Sequence, residues 1–161
     1  MRLAVLILED EPEVRDAVAR DLDPFADVVR VEPAEDVPDA RDVVAEIEGD
    51  GDVLALVLAD HRLPGESGVD FLVELVGSSE HSTVRTVLVT GQAGHEDTIR
   101  AVNEAGLDHY IAKPWTAEEL QGTVRHQLTE FVLTAGLDPL PHLRALEGAR
   151  VMDAVRRRSD R

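Results

Sequence analysis

Long apolar runs alternate with amphipathic stretches along this chain, and the alternation predicts a parallel α/β sheet. Continuous apolar runs over Leu3–Leu8, Val53–Ala59 and Val84–Val89 are typical of strands that are buried on both faces. Shorter apolar runs over 28–31 and 109–112 predict two further strands.

Helical patterns fill the intervals between the predicted strands. Apolar residues recur at helical spacing over five stretches, which we predict to be helices: 12–22, 33–48, 68–76, 96–105 (with Val102 facing inward) and 116–134. Pro12 fits a first helical turn, and Gly106 fits a helix C-cap. Thr116 opens the last of these helices as the first residue of a capping box. Strands interleaved with helices in this way favour a doubly wound sheet with right-handed crossovers.

The composition excludes several classes of protein. The chain has 161 residues, no cysteine and a formal net charge of −17. A disulfide framework and a thiolate metal site are therefore excluded, and the negative field disfavours nucleic acid. No apolar run approaches the roughly 20 residues of a membrane span, and the N-terminus lacks the pattern of a signal peptide. We expect a cytoplasmic protein that contacts neither membrane nor nucleic acid directly.

Polar side chains follow the predicted strands at the points where the strands end. In chain order these residues are Glu9, Asp10, Asp60, Thr90 and Lys113. Because the carboxyl ends of parallel strands meet along one edge of a sheet, we expect these side chains to converge. Carboxylates that lie close together repel one another unless one of them takes up a proton or a cation sits among them.

A hard divalent cation suits this cluster, since two or three carboxylates completed by water are typical of Mg²⁺. Such an ion leaves positions open for a phosphoryl group. Thr90 can then donate a hydrogen bond to one phosphoryl oxygen, and Lys113 can neutralise another. Asp60, on the central strand, is the candidate nucleophile.

Four short motifs carry a resemblance to a known family. They are Leu8–Pro12, Leu58–Asp60 with Pro64 and Gly68 four and eight residues later, Val89–Gly91 and Tyr110–Trp115. In this order and spacing they resemble the receiver domain of two-component response regulators, which accepts a phosphoryl group from a histidine kinase. The resemblance covers residues 3–130 and implies a flavodoxin-like, five-stranded parallel sheet with strand order 2-1-3-4-5.

The resemblance implies a phosphoacceptor and a metal site. Asp60 would accept the phosphoryl group. Asp10, Asp60 and the backbone carbonyl of Arg62 would bind Mg²⁺ directly. Glu9 would hold a coordinated water, and it stands where aspartate is the more usual residue.

The resemblance also implies a conformational switch. Thr90 would move toward the phosphoryl group, and Tyr110 would rotate inward to fill the space. Lys113 would pair with the phosphoryl group, and Pro114 would follow it, through the cis bond that is common in this family.

These features predict a receiver that switches protein–protein contacts when it is phosphorylated. The expected partners are a histidine kinase or phosphotransfer protein and a downstream protein. It would be a signalling domain and not an enzyme, with the capacity to catalyse its own phosphorylation and dephosphorylation.

Two alternatives stay open. A pseudo-receiver would serve purely as an interaction surface, and it would be expected to have lost part of the acid cluster, the threonine or the lysine. A phosphatase or phosphotransferase of the haloacid dehalogenase type would carry its nucleophile after the first strand, with a second aspartate two residues on.

Other polar residues are expected to lie outside the chemistry. His61 follows the nucleophile, but the next residue on a strand edge usually points away. Arg62 and Gln92 would line the mouth of the site, and Trp115 would be a packing anchor. Five further histidines lack metal-ligand spacing and are expected at the surface: His81, His95, His109, His126 and His142.

The chain divides into a receiver at 1–134 and an extension at 135–161. In the extension, apolar residues from Leu140 to Val155 recur every third residue, which predicts one amphipathic helix that ends in Arg156–Arg158. A helix this short needs its apolar face buried. The face can fold back on its own receiver or pair with a second copy, and we favour a homodimer.

Overall fold

The computed structural model describes residues 1–60, 62–91, 102–104 and 106–160. Five parallel strands form one sheet in the order β2-β1-β3-β4-β5. Their bounds are β1 Leu3–Leu8, β2 Val29–Ala34, β3 Val53–Ala59, β4 Arg85–Thr90 and β5 His109–Ala112. The predicted fold class and the strand order 2-1-3-4-5 are confirmed.

Helices connect the strands and cover the sheet. Their bounds are α1 Pro12–Asp21, α2 Val37–Gly49, α3 Gly68–Gly77, α4 Ala117–Ala135 and α5 Gly148–Ser159. Short 3-10 helices lie at Asp23–Phe25, Ser79–His81 and Leu140–Ala145. Of the helix predicted at 96–105, residues 102–104 are described and helical, and the rest lies outside the described residues. Val102, predicted to face inward, is exposed.

Two apolar layers hold the sheet between helices. Alternate residues of β1 point to opposite faces. Leu3, Val5 and Ile7 pack in the layer with α1 and α4. Ala4 and Leu6 pack in the layer with α2 and α3. A strand buried on both faces must be apolar throughout, which is why β1 and β3 read as unbroken apolar runs.

The boundary between β2 and α2 differs from the prediction. The helix was expected to begin at Pro33, but β2 extends to Ala34 and α2 begins at Val37. Pro33 is tolerated because β2 is an edge strand. The helix start is fixed by Asp36, whose side chain accepts a hydrogen bond from the backbone N–H of Asp39.

The C-terminal extension is not one amphipathic helix. Leu140–Ala145 is a 3-10 helix, Leu146 is extended, and α5 begins at Gly148. A three-residue apolar period matches three residues per turn, so it fits the 3-10 segment and not a continuous α-helix. Of the predicted stripe, Leu146 is buried, whereas Leu140, Leu143, Met152 and Val155 are exposed.

The extension folds back on its own receiver through three buried residues, of which Leu146 belongs to the predicted stripe. Ala145, Leu146 and Val151 are buried in the same apolar layer as α4. The extension's His142 is 3% exposed, contrary to its expected place at the surface. Burial lowers the pKa of His142, because a charged imidazolium is poorly solvated there.

Among residues 1–60, 62–91, 102–104 and 106–160, no helix combines the length and the apolar character that crossing a membrane requires.

The two faces of the extension should differ in their contribution to stability. Leu146→Ala removes a buried side chain, and we expect it to lower the free energy of unfolding by about 2 kcal/mol or more. Met152→Ala, the matched control on the exposed face, should change it by less than about 0.5 kcal/mol. Urea denaturation of both variants measures the difference. Equal effects would contradict the fold-back packing.

Candidate functional site

The ends of β1 and β3 bring two acidic residues side by side. Leu8 and Ala59, the last residues of these strands, are paired in the sheet. The next residue of each strand is then held by the backbone: the N–H of Glu9 donates to Ala34 and the N–H of Asp60 donates to Leu8, both at 3.0 Å. Strand pairing therefore positions both carboxylates before any side-chain contact is considered.

The predicted acid cluster is present. Carboxylate oxygens of Glu9, Asp10 and Asp60 lie within 4.8 Å of one another. Glu9 is 3% exposed and Asp60 is 7% exposed, whereas Asp10 is partly exposed. Two acidic side chains are thus buried, and the third opens the cluster to solvent.

Lys113 bridges the two buried carboxylates. Its Nζ donates to Oε1 of Glu9 and to Oδ2 of Asp60, each at 3.0 Å. Its backbone N–H donates to the carbonyl of Thr90 at 3.2 Å, which ties the end of β5 to the end of β4. The peptide bond from Lys113 to Pro114 is cis.

Burial and hydrogen bonding divide the charge unequally within the cluster. Burial, followed by the hydrogen bond with Asp60, raises the pKa of Glu9 to about 7. Burial also acts to raise the pKa of Asp60, but hydrogen bonds from the backbone N–H of Arg62, from Glu9 and from Lys113 outweigh it and leave that pKa lowered. Of the two buried carboxyl groups, Asp60 is therefore the one that loses its proton more readily.

Lys113 remains a cation in this setting. Burial acts to lower the pKa of Lys113, but the hydrogen bonds to Glu9 and Asp60 outweigh burial and leave the pKa raised. One ammonium group nevertheless cannot balance both buried carboxylates when Glu9 is ionised as well as Asp60.

The donor set fits a magnesium ion. Oε2 of Glu9 is the one buried side-chain oxygen or nitrogen in the described part of the chain without a hydrogen-bond partner. A buried oxygen in that state is costly unless a proton or a cation reaches it. Glu9, Asp10 and Asp60 offer carboxylate oxygens, and such hard ligands suit Mg²⁺.

The predicted switch residues are adjacent but not yet in the arrangement expected after phosphorylation. Thr90 is buried at the end of β4. Tyr110 is 37% exposed, and its hydroxyl donates to the backbone carbonyl of Thr90 at 3.4 Å. The aromatic ring therefore lies toward solvent in this conformation.

Some residues near the site escaped the sequence analysis. Nη1 of Arg15 donates to the carbonyl of Glu9 at 3.0 Å, and its place one turn into α1 was the available signal. Nη1 and Nη2 of Arg41 donate to Glu66, and Nη2 also donates to Glu74, which ties the loop after β3 to α2 and α3. No sequence pattern marked these pairs.

The remaining predictions near the site have mixed outcomes. Trp115 packs against the apolar layer that contains α1 and α4, as its expected anchoring role requires. The backbone N–H of Arg62 donates to Oδ1 of Asp60 at 3.1 Å. The predictions for His61, Gln92 and His95 lie outside the described residues.

Comparison with known proteins decides the family. The family model for the response regulator receiver domain matches residues 5–125. The chain belongs to the response regulator receiver family. Its flavodoxin-like fold and its membership of two-component systems follow from that match and from the sheet order.

Two curated relatives are transcriptional regulators. The chain is 33% identical over 155 residues to the hydrogenase transcriptional regulatory protein HoxA of Cupriavidus necator. The aligned region covers 96% of this chain and 29% of HoxA. It is 32% identical over 127 residues to the phosphate regulon transcriptional regulatory protein PhoB of Escherichia coli. That alignment covers 78% of this chain and 51% of PhoB. The chain therefore spans about half or less of each relative's length.

Solved receiver domains share the fold. A CheY-like response regulator receiver domain protein from Methanospirillum hungatei superposes with a TM-score of 0.70 at 25% identity, covering 83% of this chain and 99% of that one. The receiver domain of an HD domain-containing protein from Pseudomonas fluorescens gives a TM-score of 0.74 at 21% identity, covering 84% and 93%.

The raised pKa of Glu9 predicts how stability depends on pH in the absence of metal. The folded protein binds this proton more tightly than the unfolded chain does, so the contribution to stability is complete below about pH 4.5 and is lost as the pH rises to about 7. Glu9→Gln should therefore raise the free energy of unfolding by about 1 to 3 kcal/mol at pH 8 and change it little near pH 4.

Denaturation with EDTA present at the two pH values measures this difference. Glu13→Gln, which removes an exposed carboxylate on α1, is the matched control. An effect of Glu9→Gln that is equal at both pH values would contradict the assignment of the raised pKa to Glu9.

Proposed function

We propose that this chain accepts a phosphoryl group on Asp60 from a histidine kinase or phosphotransfer protein, with Mg²⁺, and that phosphorylation switches its protein contacts. The observation that carries the proposal is the buried, ionised carboxylate of Asp60 next to the ammonium group of Lys113. This is the arrangement that a nucleophile for phosphoryl transfer requires.

The chemistry uses groups that already converge. An oxygen of Asp60 forms a bond to phosphorus while the bond from phosphorus to the donor breaks, and the product is an acyl phosphate. Glu9, Asp10, Asp60 and the backbone carbonyl of Arg62 would hold Mg²⁺, with Glu9 acting through a water. The metal would supply positive charge that offsets the charge on the phosphoryl oxygens.

Lys113 and Thr90 serve the phosphorylated state. The ammonium group of Lys113, now 3.0 Å from Oδ2 of Asp60, is placed to pair with an oxygen of the phosphoryl group on that side chain. The hydroxyl of Thr90 at the adjacent strand end would donate to a second oxygen. Movement of Thr90 would then make room for Tyr110 to rotate inward from its exposed position.

The alternatives are weaker. A pseudo-receiver would be expected to lack part of the machinery, yet the acid cluster, Thr90 and Lys113 are all in place. A phosphatase of the haloacid dehalogenase type needs its nucleophile after β1, whereas Lys113 and Arg62 direct hydrogen bonds to Asp60 after β3. We therefore assign a signalling role in the cytoplasm, with residues 1–134 as the receiver and 135–161 as a docking extension.

Phosphorylation of Asp60 is directly testable. Incubation with acetyl phosphate and Mg²⁺ should add one phosphoryl group to the intact mass, and Asp60→Asn should abolish the gain. Asp70→Asn, which changes an acidic residue in the first turn of α3, is the matched control and should gain the phosphoryl group as the wild type does. A mass gain that persists in Asp60→Asn would refute the assignment.

Mg²⁺ at 100 times its dissociation constant should stabilise the unphosphorylated protein by about 2.7 kcal/mol.

The exposed face of the extension is a candidate for pairing with a second copy. Met152 and Val155 on α5 are exposed and lie beside Arg156–Arg158 in a chain whose net charge is −17. The arginines of this face would meet an acidic surface on another copy. Light scattering should show a dimer that Met152→Glu with Val155→Glu disrupts, while Ser159→Ala leaves it intact. A monomer at all concentrations would contradict the pairing.

A further inference from the structure

Lys113 lies in a turn whose position depends on a neighbouring helix. The turn begins at the cis peptide bond to Pro114 and ends at Thr116, whose side chain accepts a hydrogen bond from the backbone N–H of Glu119 and so caps α4. Between these points lies Trp115. Its indole Nε1–H donates to Oδ2 of Asp21 at 2.9 Å, across 94 positions of the chain.

Asp21 is itself held from a second side. It is the last residue of α1, and its backbone carbonyl accepts a hydrogen bond from Nε2 of Gln121 at 2.8 Å. The first turns of α4 and the indole of Trp115 thus converge on one residue. The Trp115 ring also packs against the apolar layer that contains α1 and α4.

The hydrogen bond constrains a charged side chain two residues away. Nζ of Lys113 lies 3.0 Å from both Glu9 and Asp60, so the backbone of Lys113 must stay within reach of both carboxylates. A hydrogen bond is directional, whereas ring packing is not. It therefore fixes the turn more firmly than ring packing alone.

We propose that Asp21 and Trp115 are positioning residues that hold Lys113 at the phosphoacceptor through this hydrogen bond. The proposal rests on the proposed phosphorylation of Asp60. Neither residue touches the reacting atoms; each acts through the backbone of the turn.

The test removes the hydrogen bond and keeps the ring. Trp115→Phe retains an aromatic ring and lacks the N–H, and Asp21→Ala lacks the acceptor. Each should slow phosphorylation by acetyl phosphate roughly three- to tenfold. Asp21→Asn keeps an acceptor oxygen and should recover most of the rate. Thr129→Val is the control, because it removes the part-buried hydrogen bond that the backbone N–H of Glu147 donates to Oγ1 of Thr129, far from the turn. It should lower stability without slowing phosphorylation.

The effect must pass through Lys113. In a Lys113→Ala background, Trp115→Phe should cause no further fall in rate. An equal fall with and without Lys113, or wild-type rates in Trp115→Phe and Asp21→Ala, would overturn the proposal while leaving the phosphorylation of Asp60 intact.

A second measurement is independent of phosphorylation. If the wild-type chain gains no phosphoryl group, the proposed function fails, and thermal melting of the same variants still decides the positioning role. Coupled residues give non-additive effects. Trp115→Phe and Lys113→Ala together should lower the melting temperature by less than the sum of their separate effects. Additive shifts would overturn the proposal.

Discussion

Burial of Glu9 and Asp60 beside a lysine is the constraint on which the rest of this structure depends. An ionised carboxylate is costly to bury unless it is paired and hydrogen-bonded. Here one ammonium group reaches both carboxylates at 3.0 Å, and Oε2 of Glu9 has no hydrogen-bond partner within the described part of the chain. The cluster therefore favours a cation, and backbone pairing at the ends of β1 and β3 keeps the two buried carboxylates side by side.

The parallel sheet explains how residues so distant in the chain become neighbours. Lys113 and Glu9 are 104 positions apart. They meet because β1, β3, β4 and β5 all end along one edge, and because apolar layers on both faces hold the central strands. The apolar packing brings no charge of its own to the site. It supplies the rigidity that holds the 3.0 Å contact between these two residues, which are far apart in the sequence.

The part of the site that could be predicted from the sequence is the part that the positions of the strand ends determine. Glu9, Asp60 and Lys113 each follow an apolar run, and strand ends must converge in a parallel sheet, so their meeting could be foreseen. The contact between Asp21 and Trp115 could not, because it joins side chains whose approach depends on how α1 and α4 pack. The extension was misjudged because a three-residue apolar period was taken for one face of an α-helix. That period matches the 3-10 helix at Leu140–Ala145, and extended Leu146 separates this segment from α5.

Helix α4 connects the site to the extension. At its N-terminal end it follows the turn of Lys113 and is capped by Thr116. Further along, Nη1 of Arg125 donates to the carbonyl of Arg144 at 2.9 Å, and Oγ1 of Thr129 accepts from the N–H of Glu147 at 2.8 Å. A helix of 19 residues behaves as one rigid body over such distances. The turn of Lys113 and the contacts of the extension therefore lie on one continuous helix, which joins the acid cluster to the extension.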